Sequence, residues 1–200
     1  DFHGTSGPVK CKRDPEEEWQ PNQMAFYKSC QALGFNSAKD HNDPDSTGVG
    51  PVPFNTIDGV RQSTWLTYLK PVMKRGNLTI IPEAFVISLN FNGTKTESVT
   101  IIRQNQRTTI EASEVIVSGG AIGSPQLLML SGIGDAAQLK NHGIAVVKNL
   151  PGVGKNLRDH PQAQVVWKTK ENRSQDPDPY KRVQVGLRYT ASNSNLRNDM

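Results

Sequence analysis

The sequence predicts an α/β protein, and three observations lead there. Val115, Ile116 and Val117 are consecutive β-branched residues, which read as a strand buried on both faces, as in a parallel sheet. Gly119, Gly120 and Gly123 then supply a turn without side-chain bulk. Ser124-Pro125 reads as an N-cap followed by proline at the first helical position, opening a short apolar helix. A strand ending in glycines under a helix N-terminus brings backbone N–H groups and a positive dipole end close to a bound anion.

Around that centre the elements follow in order. Over residues 16–33, Trp19, Phe26, Cys30 and Leu33 recur at helical spacing, with Gln23 the one polar member of the face and Gly34 in place as a C-terminal cap. Residues 36–62 are rich in Asn, Asp, Pro and Gly and read as one long loop. Ser63 caps a second helix over 64–73, with Trp65, Leu66, Leu69 and Val72 on one face. The period then changes. Strands are expected at 77–81, 84–91, 98–103 and 107–110, with a turn at Asn92-Gly93. After the glycine turn, Asp135 caps a helix over 136–141 that Gly143 ends, and strands follow at 144–148 and 164–169.

Composition narrows the function classes. The 23 basic and 19 acidic residues are scattered, so the net charge of +4 forms no basic face and nucleic acid is not the expected partner. Cys11 and Cys30 are too few for a disulfide framework or a CxxC metal site, and Cys30 reads as a buried free thiol. No run approaches the roughly 18 apolar residues of a membrane span and no signal peptide is visible, which leaves a cytoplasmic location as the expectation. With 17 glycines and 13 prolines there is much loop for few regular elements. The chain starts at Asp1 and ends in a polar run at Met200, and it reads as the middle of a larger protein.

Several chemical motifs fail on inspection. Gly152-Val-Gly-Lys155 is not a phosphate loop, because Asn149 stands where the first glycine belongs and Asn156 where Ser or Thr should follow the lysine. His41, His142 and His160 have no HExxH spacing and no carboxylate dyad, so neither a metal nor a triad is assigned. Ser118, Ser124 and Ser131 lie outside any GxSxG and suit caps and turns. Asp159-His160-Pro161 is better placed, in a loop between two expected strands.

From Gly120 to Gly134 the chain resembles the second signature of the glucose-methanol-choline (GMC) family of FAD-dependent oxidoreductases. Ala121 is the small residue, Ser124-Pro125 and Leu127-Leu128 the two pairs, and Ser131-Gly-Ile-Gly134 the close. The resemblance continues in order through His3-Gly-Thr-Ser-Gly-Pro8, Ser63-Thr-Trp-Leu66, Tyr68-Leu-Lys-Pro71, Ala84-Phe-Val86 and Gly154-Lys-Asn-Leu-Arg-Asp-His160, and is strongest to the choline-dehydrogenase-like branch.

That resemblance implies part of a Rossmann-like FAD-binding domain, residues 76–159, and part of an antiparallel-sheet substrate domain, residues 1–75 and 160–200. It implies oxidation of a small-molecule alcohol to a carbonyl by hydride transfer to FAD, with an external acceptor (oxygen, a quinone or a carrier) taking the electrons. A cyanohydrin lyase holding FAD, or a non-catalytic truncated product, are the alternatives. The family's GxGxxG fingerprint and catalytic histidine fall outside the matched motifs, so no catalytic residue is assigned and the chain alone is expected to be inactive. For the cofactor, the resemblance implies contacts from Val86, Ser118, Gly119, Gly120, Asn156, Asp159 and His160.

Overall fold

The computed structural model describes residues 4–166 and 183–200. In chain order its elements are α1 (Pro21–Ala32), β1 (Gly48–Pro51), β2 (Thr56–Ile57), β3 (Val60–Arg61), β4 (Phe85–Asn92), β5 (Lys95–Arg103), β6 (Gln106–Glu111), α2 (Gly120–Leu130), β7 (Ile133–Gly134), α3 (Ala136–Asn141), β8 (Lys148–Asn149) and β9 (Val185–Arg188). This is the mixed α/β content expected. They divide into two compact units, one being Thr79–Val166 and the other the described residues outside it. Residues 164–166 are irregular chain, and the rest of the strand expected at 164–169, like His3, lies outside the described residues.

In the unit that holds residues 4–78 and 183–200, α1 ends where Gly34 indicated. Gly34 has φ +90°, Phe35 N–H donates to the Cys30 carbonyl at 3.1 Å and Gly34 N–H to the Gln31 carbonyl at 2.9 Å, the paired bonds of a Schellman cap. The helix begins later than its periodicity suggests, at Pro21, after a 3-10 turn at Glu16–Glu18. Its buried side carries Cys30 and Tyr27, which pack with Trp19 of the preceding turn around Val49 and Val185, whereas Phe26 and Leu33 are exposed. Gln23 belongs on that buried side for a polar reason: its Oε1 accepts the N–H groups of Gln184 and Val185 at 3.1 and 3.2 Å, at the start of β9. Gln184 is itself buried, and its side chain bonds Gln20 N–H, the Asp14 carboxylate and the Glu18 carbonyl.

The expected loop 36–62 contains β1, β2 and β3. β1 pairs antiparallel with β9 and lies against residues 36–38 on its other side, through a parallel bridge from Ser37 to Val49. Only glycine permits this approach, since a Cβ on Gly48 or Gly50 would fall on the Asn36 or Ala38 carbonyl. The expected α-helix over 64–73 is instead a π turn, Trp65–Leu69, followed by a 3-10 turn, Lys70–Val72. Pro71 has no N–H to offer the Thr67 carbonyl, and Lys70 N–H reaches back to the Trp65 carbonyl.

In the Thr79–Val166 unit, β4, β5 and β6 form an antiparallel meander. Gly93, at φ +60°, occupies the first central position of the two-residue turn between Asn92 and Lys95. Leu89 and Ile101 are buried apolar residues of the sheet, while Asn90 Nδ2 donates to the Ser98 and Thr100 hydroxyls, both at 2.9 Å. Residues 77–81 are irregular rather than a strand. α2 starts before Ser124, so Ser124-Pro125 lies within the helix and Gly119 is its N-cap.

The central expectation is corrected at residues 115–117. They run beside α2 without joining any sheet, and Ile116 is 83% exposed. A parallel strand needs neighbours on its edges to fill its hydrogen bonds, and no strand among the described residues takes that place. Beyond α2 the chain turns back tightly. Gly132 has φ +88°, and a Cβ there would fall on the Ala145 carbonyl oxygen and lie 2.9 Å from Val147 Cγ2. This crossing brings β7 beside β8 as a two-residue parallel pair, whereas the strand expected at 144–148 is not formed: residues 144–147 are irregular and only Lys148 of that span belongs to β8. Asp135 Oδ1 caps α3 by accepting from Gln138 N–H at 2.9 Å, as its position suggested.

Two outcomes follow. Gly132→Ala combines a left-handed backbone with a backbone collision and should cost about 2–3 kcal/mol in denaturant unfolding, whereas Gly152→Ala, with open space around it, should change stability by under about 0.5 kcal/mol. Equal costs would contradict the crowding at Gly132. Burial also pushes the Cys30 thiol above its ordinary pKa, which leaves less thiolate at pH 8. Alkylation followed by mass spectrometry should therefore label exposed Cys11 first and Cys30 only as the protein unfolds.

Candidate functional site

A cavity of about 590 Å³ opens between β4, residues 115–119 and α2. β4 supplies Phe85, Val86, Ile87 and Leu89, and α2 supplies Gly123, Gln126, Leu127 and Leu130. Of the residues singled out by the sequence, Val86, Ser118 and Gly119 line this one cavity, and Gly120 follows directly at φ +84°.

The three glycines differ in what their missing side chains permit. At Gly119 the chain itself uses the space, since a Cβ would meet the Gly123 carbonyl carbon and Ser124 N at 3.3 Å. At Gly120 and Gly123 a Cβ would meet nothing within 4 Å. The backbone there is bare towards open space, which is the condition for close approach by a ligand. Residues 115–117 add polar groups, because among the described residues no hydrogen bond engages their N–H and C=O groups. Apolar walls beside unpaired main-chain donors and acceptors suit a flat heteroaromatic group with polar edges.

Asn156 sits elsewhere along the same helix. It lines a second groove, of about 610 Å³, with Ala121, Pro125, Met129 and Arg158. Its φ of +55° is one that Asn tolerates better than most residues, and neighbouring Gly154 would bring a Cβ 3.4 Å from Met129 Cε. Asp159 and His160 join neither groove. Both are fully exposed, with His160 N–H donating to Asp159 Oδ1 at 2.7 Å and the imidazole Nδ1 3.9 Å from the same oxygen.

The remaining candidates have structural employment. His41 Nε2 lies 3.1 Å from the carbonyls of both Gly50 and Gly186, bridging β1 and β9. His142 is the C-cap of α3. Ser131, 8% exposed, bonds with its hydroxyl to both α2 and β4. Its partner Leu89 is 42 residues away in sequence, so no local spacing could have revealed the contact. Gly123, visible only as a turn residue in the sequence, becomes part of the cavity wall.

Comparison with known proteins finds relatives over most of the chain. A family model described as GMC oxidoreductase matches residues 3–162. An oxygen-dependent choline dehydrogenase of Staphylococcus haemolyticus is 40% identical over 190 residues, 94% of this chain and 33% of that protein. Pyridoxine 4-oxidase from Mesorbium loti superposes with a TM-score of 0.70 at 31% identity, covering 74% of this chain and 29% of that one. An FAD-dependent oxidoreductase from Chaetomium thermophilum gives 0.68 at 28% identity, over 74% and 26%. The chain thus spans about a third of the length of the curated relative it matches.

Proposed function

Because the chain belongs to the GMC oxidoreductase family, we propose that it forms the middle portion of a flavoprotein that oxidises an alcohol to a carbonyl and passes the electrons to an external acceptor. The observation that carries this reading is 40% identity to an oxygen-dependent choline dehydrogenase over 94% of the chain. That relative and the oxidase among the solved structures favour oxidation over the lyase alternative. FAD, when bound, supplies the hydride acceptor for the alcohol carbon.

The chain's own residues bind and orient. Residues 76–159 form the FAD side of this proposal and residues 1–75 and 160–200 the substrate side, a division supported by a compact unit, Thr79–Val166, that overlaps most of the first range. The Val86 main chain meets the adenine end and Ser118, Gly119 and Gly120 the ADP part, supported by the convergence of Val86, Ser118 and Gly119 around one cavity and by the open space at the adjoining Gly120. Gly119 also lets α2 start close to the cavity, because the chain itself uses the space a Cβ would take. Asn156 approaches the cofactor from the second groove, and Asp159 and His160, free of packing, remain available to it.

The experiment is anaerobic addition of choline and a panel of primary alcohols to the full-length protein loaded with FAD. Bleaching of the flavin absorbance with at least one alcohol, and return of colour with an acceptor, is the expected result. A flavin that stays oxidised with every alcohol would favour the lyase or a non-catalytic role. Gly123→Ala probes the cavity separately: the helix should be about 0.5–1 kcal/mol more stable, while FAD affinity falls at least about tenfold as the methyl enters the cavity. Unchanged FAD affinity would remove the glycine-lined cavity from the proposal.

A further inference from the structure

Ser131 belongs to the signature segment, yet it does not line the cavity. Its hydroxyl donates to the Leu127 carbonyl at 2.7 Å and accepts the Leu89 N–H at 2.8 Å. Leu127 stands in the helix wall of the cavity and Leu89 in its strand wall. One buried oxygen therefore ties the two walls together.

The strand wall needs such a tie. β4 is an edge strand of its sheet, and its pairing with β5 is irregular between Val86 and Ser88 and again between Asn90 and Phe91. Register irregularities bend a strand and leave its local path weakly specified by the ladder. Leu89 lies between these two irregularities, and its N–H is held by Ser131 rather than by another strand. The same hydroxyl closes the C-terminal turn of α2, where Ser131 N–H reaches the Leu127 and Leu128 carbonyls.

We propose that Ser131 is a positioning residue for the cofactor: its hydroxyl fixes the separation of β4 from α2, and so the width of the cavity at Val86. The inference rests on the FAD reading above and deepens it, naming a residue that acts on adenosine binding without touching it. Glycine at 132 and the helix cap alone do not require an oxygen at 131. The oxygen is required because a donor from another element ends on it.

Three variants of the full-length protein separate this role from general stability. Ser131→Cys keeps the volume but replaces the oxygen with a poor acceptor, Ser131→Ala removes it, and Ser131→Thr restores a hydroxyl. Each apoprotein is titrated with FAD, and kcat is measured at saturating FAD. The expected result is an FAD dissociation constant raised about tenfold in Cys and Ala and returned towards wild type in Thr, with kcat unchanged once the site is filled. If Ser131→Cys lowers the melting temperature while binding FAD as wild type does, the serine is merely structural and the proposal is overturned. If Thr folds but binds no better than Cys, the hydroxyl is not the operative group, which overturns it equally. Failure of the wild-type protein to bind FAD would sink the underlying functional reading as well, and is distinguished by being visible before any substitution.

Discussion

The Thr79–Val166 unit depends on one constraint: α2 must lie on the meander and then leave without room for a side chain. The helix exit at Gly132 crosses so close to Ala145 and Val147 that a Cβ collides with backbone. That crossing sets β7 beside β8 and starts α3. Gly134 continues the pattern, with Met129 and Leu139 filling the space a Cβ would take. The glycines closing the signature are therefore packing residues, and those opening it at 120 and 123 are the ones that leave space free.

Backbone hydrogen bonding explains why the free space lies where it does. Chain segments that meet no partner keep their N–H and C=O groups in water or offer them to a ligand. Residues 115–117 are in that position among the described residues, while the neighbouring β4 is satisfied on one side by β5 and at Leu89 by Ser131. The cavity lies between a strand paired along one edge and a segment paired along neither.

What the sequence made legible was local. Gly34, Asp135 and Gly143 mark helix ends by chemistry that acts over a few residues, and the meander announces itself by its change of period and by Asn92-Gly93. Where distant chain decided the outcome, periodicity misled. Residues 115–117 read as doubly buried because three β-branched residues usually are, but burial requires neighbours that lie elsewhere. Pro71 turned an apparent helix into π and 3-10 turns, a backbone effect that an apolar face does not report. Gln23 spoiled a helical face for a reason visible only once β9 is beside it. The candidate site was suggested by a family pattern, whereas the distinction between glycines that pack and glycines that leave room needed coordinates.

Adenosine is proposed to occupy the cavity lined by Val86 and Gly123, with the bare backbone of Gly120 beside it. An experimental structure of the full-length protein with FAD tests it most directly. The expected result is adenosine atoms within van der Waals contact of the Val86 and Gly120 main chain and of Gly123 Cα. Adenosine bound away from these three residues, with the cavity filled by another strand of the protein, would contradict it.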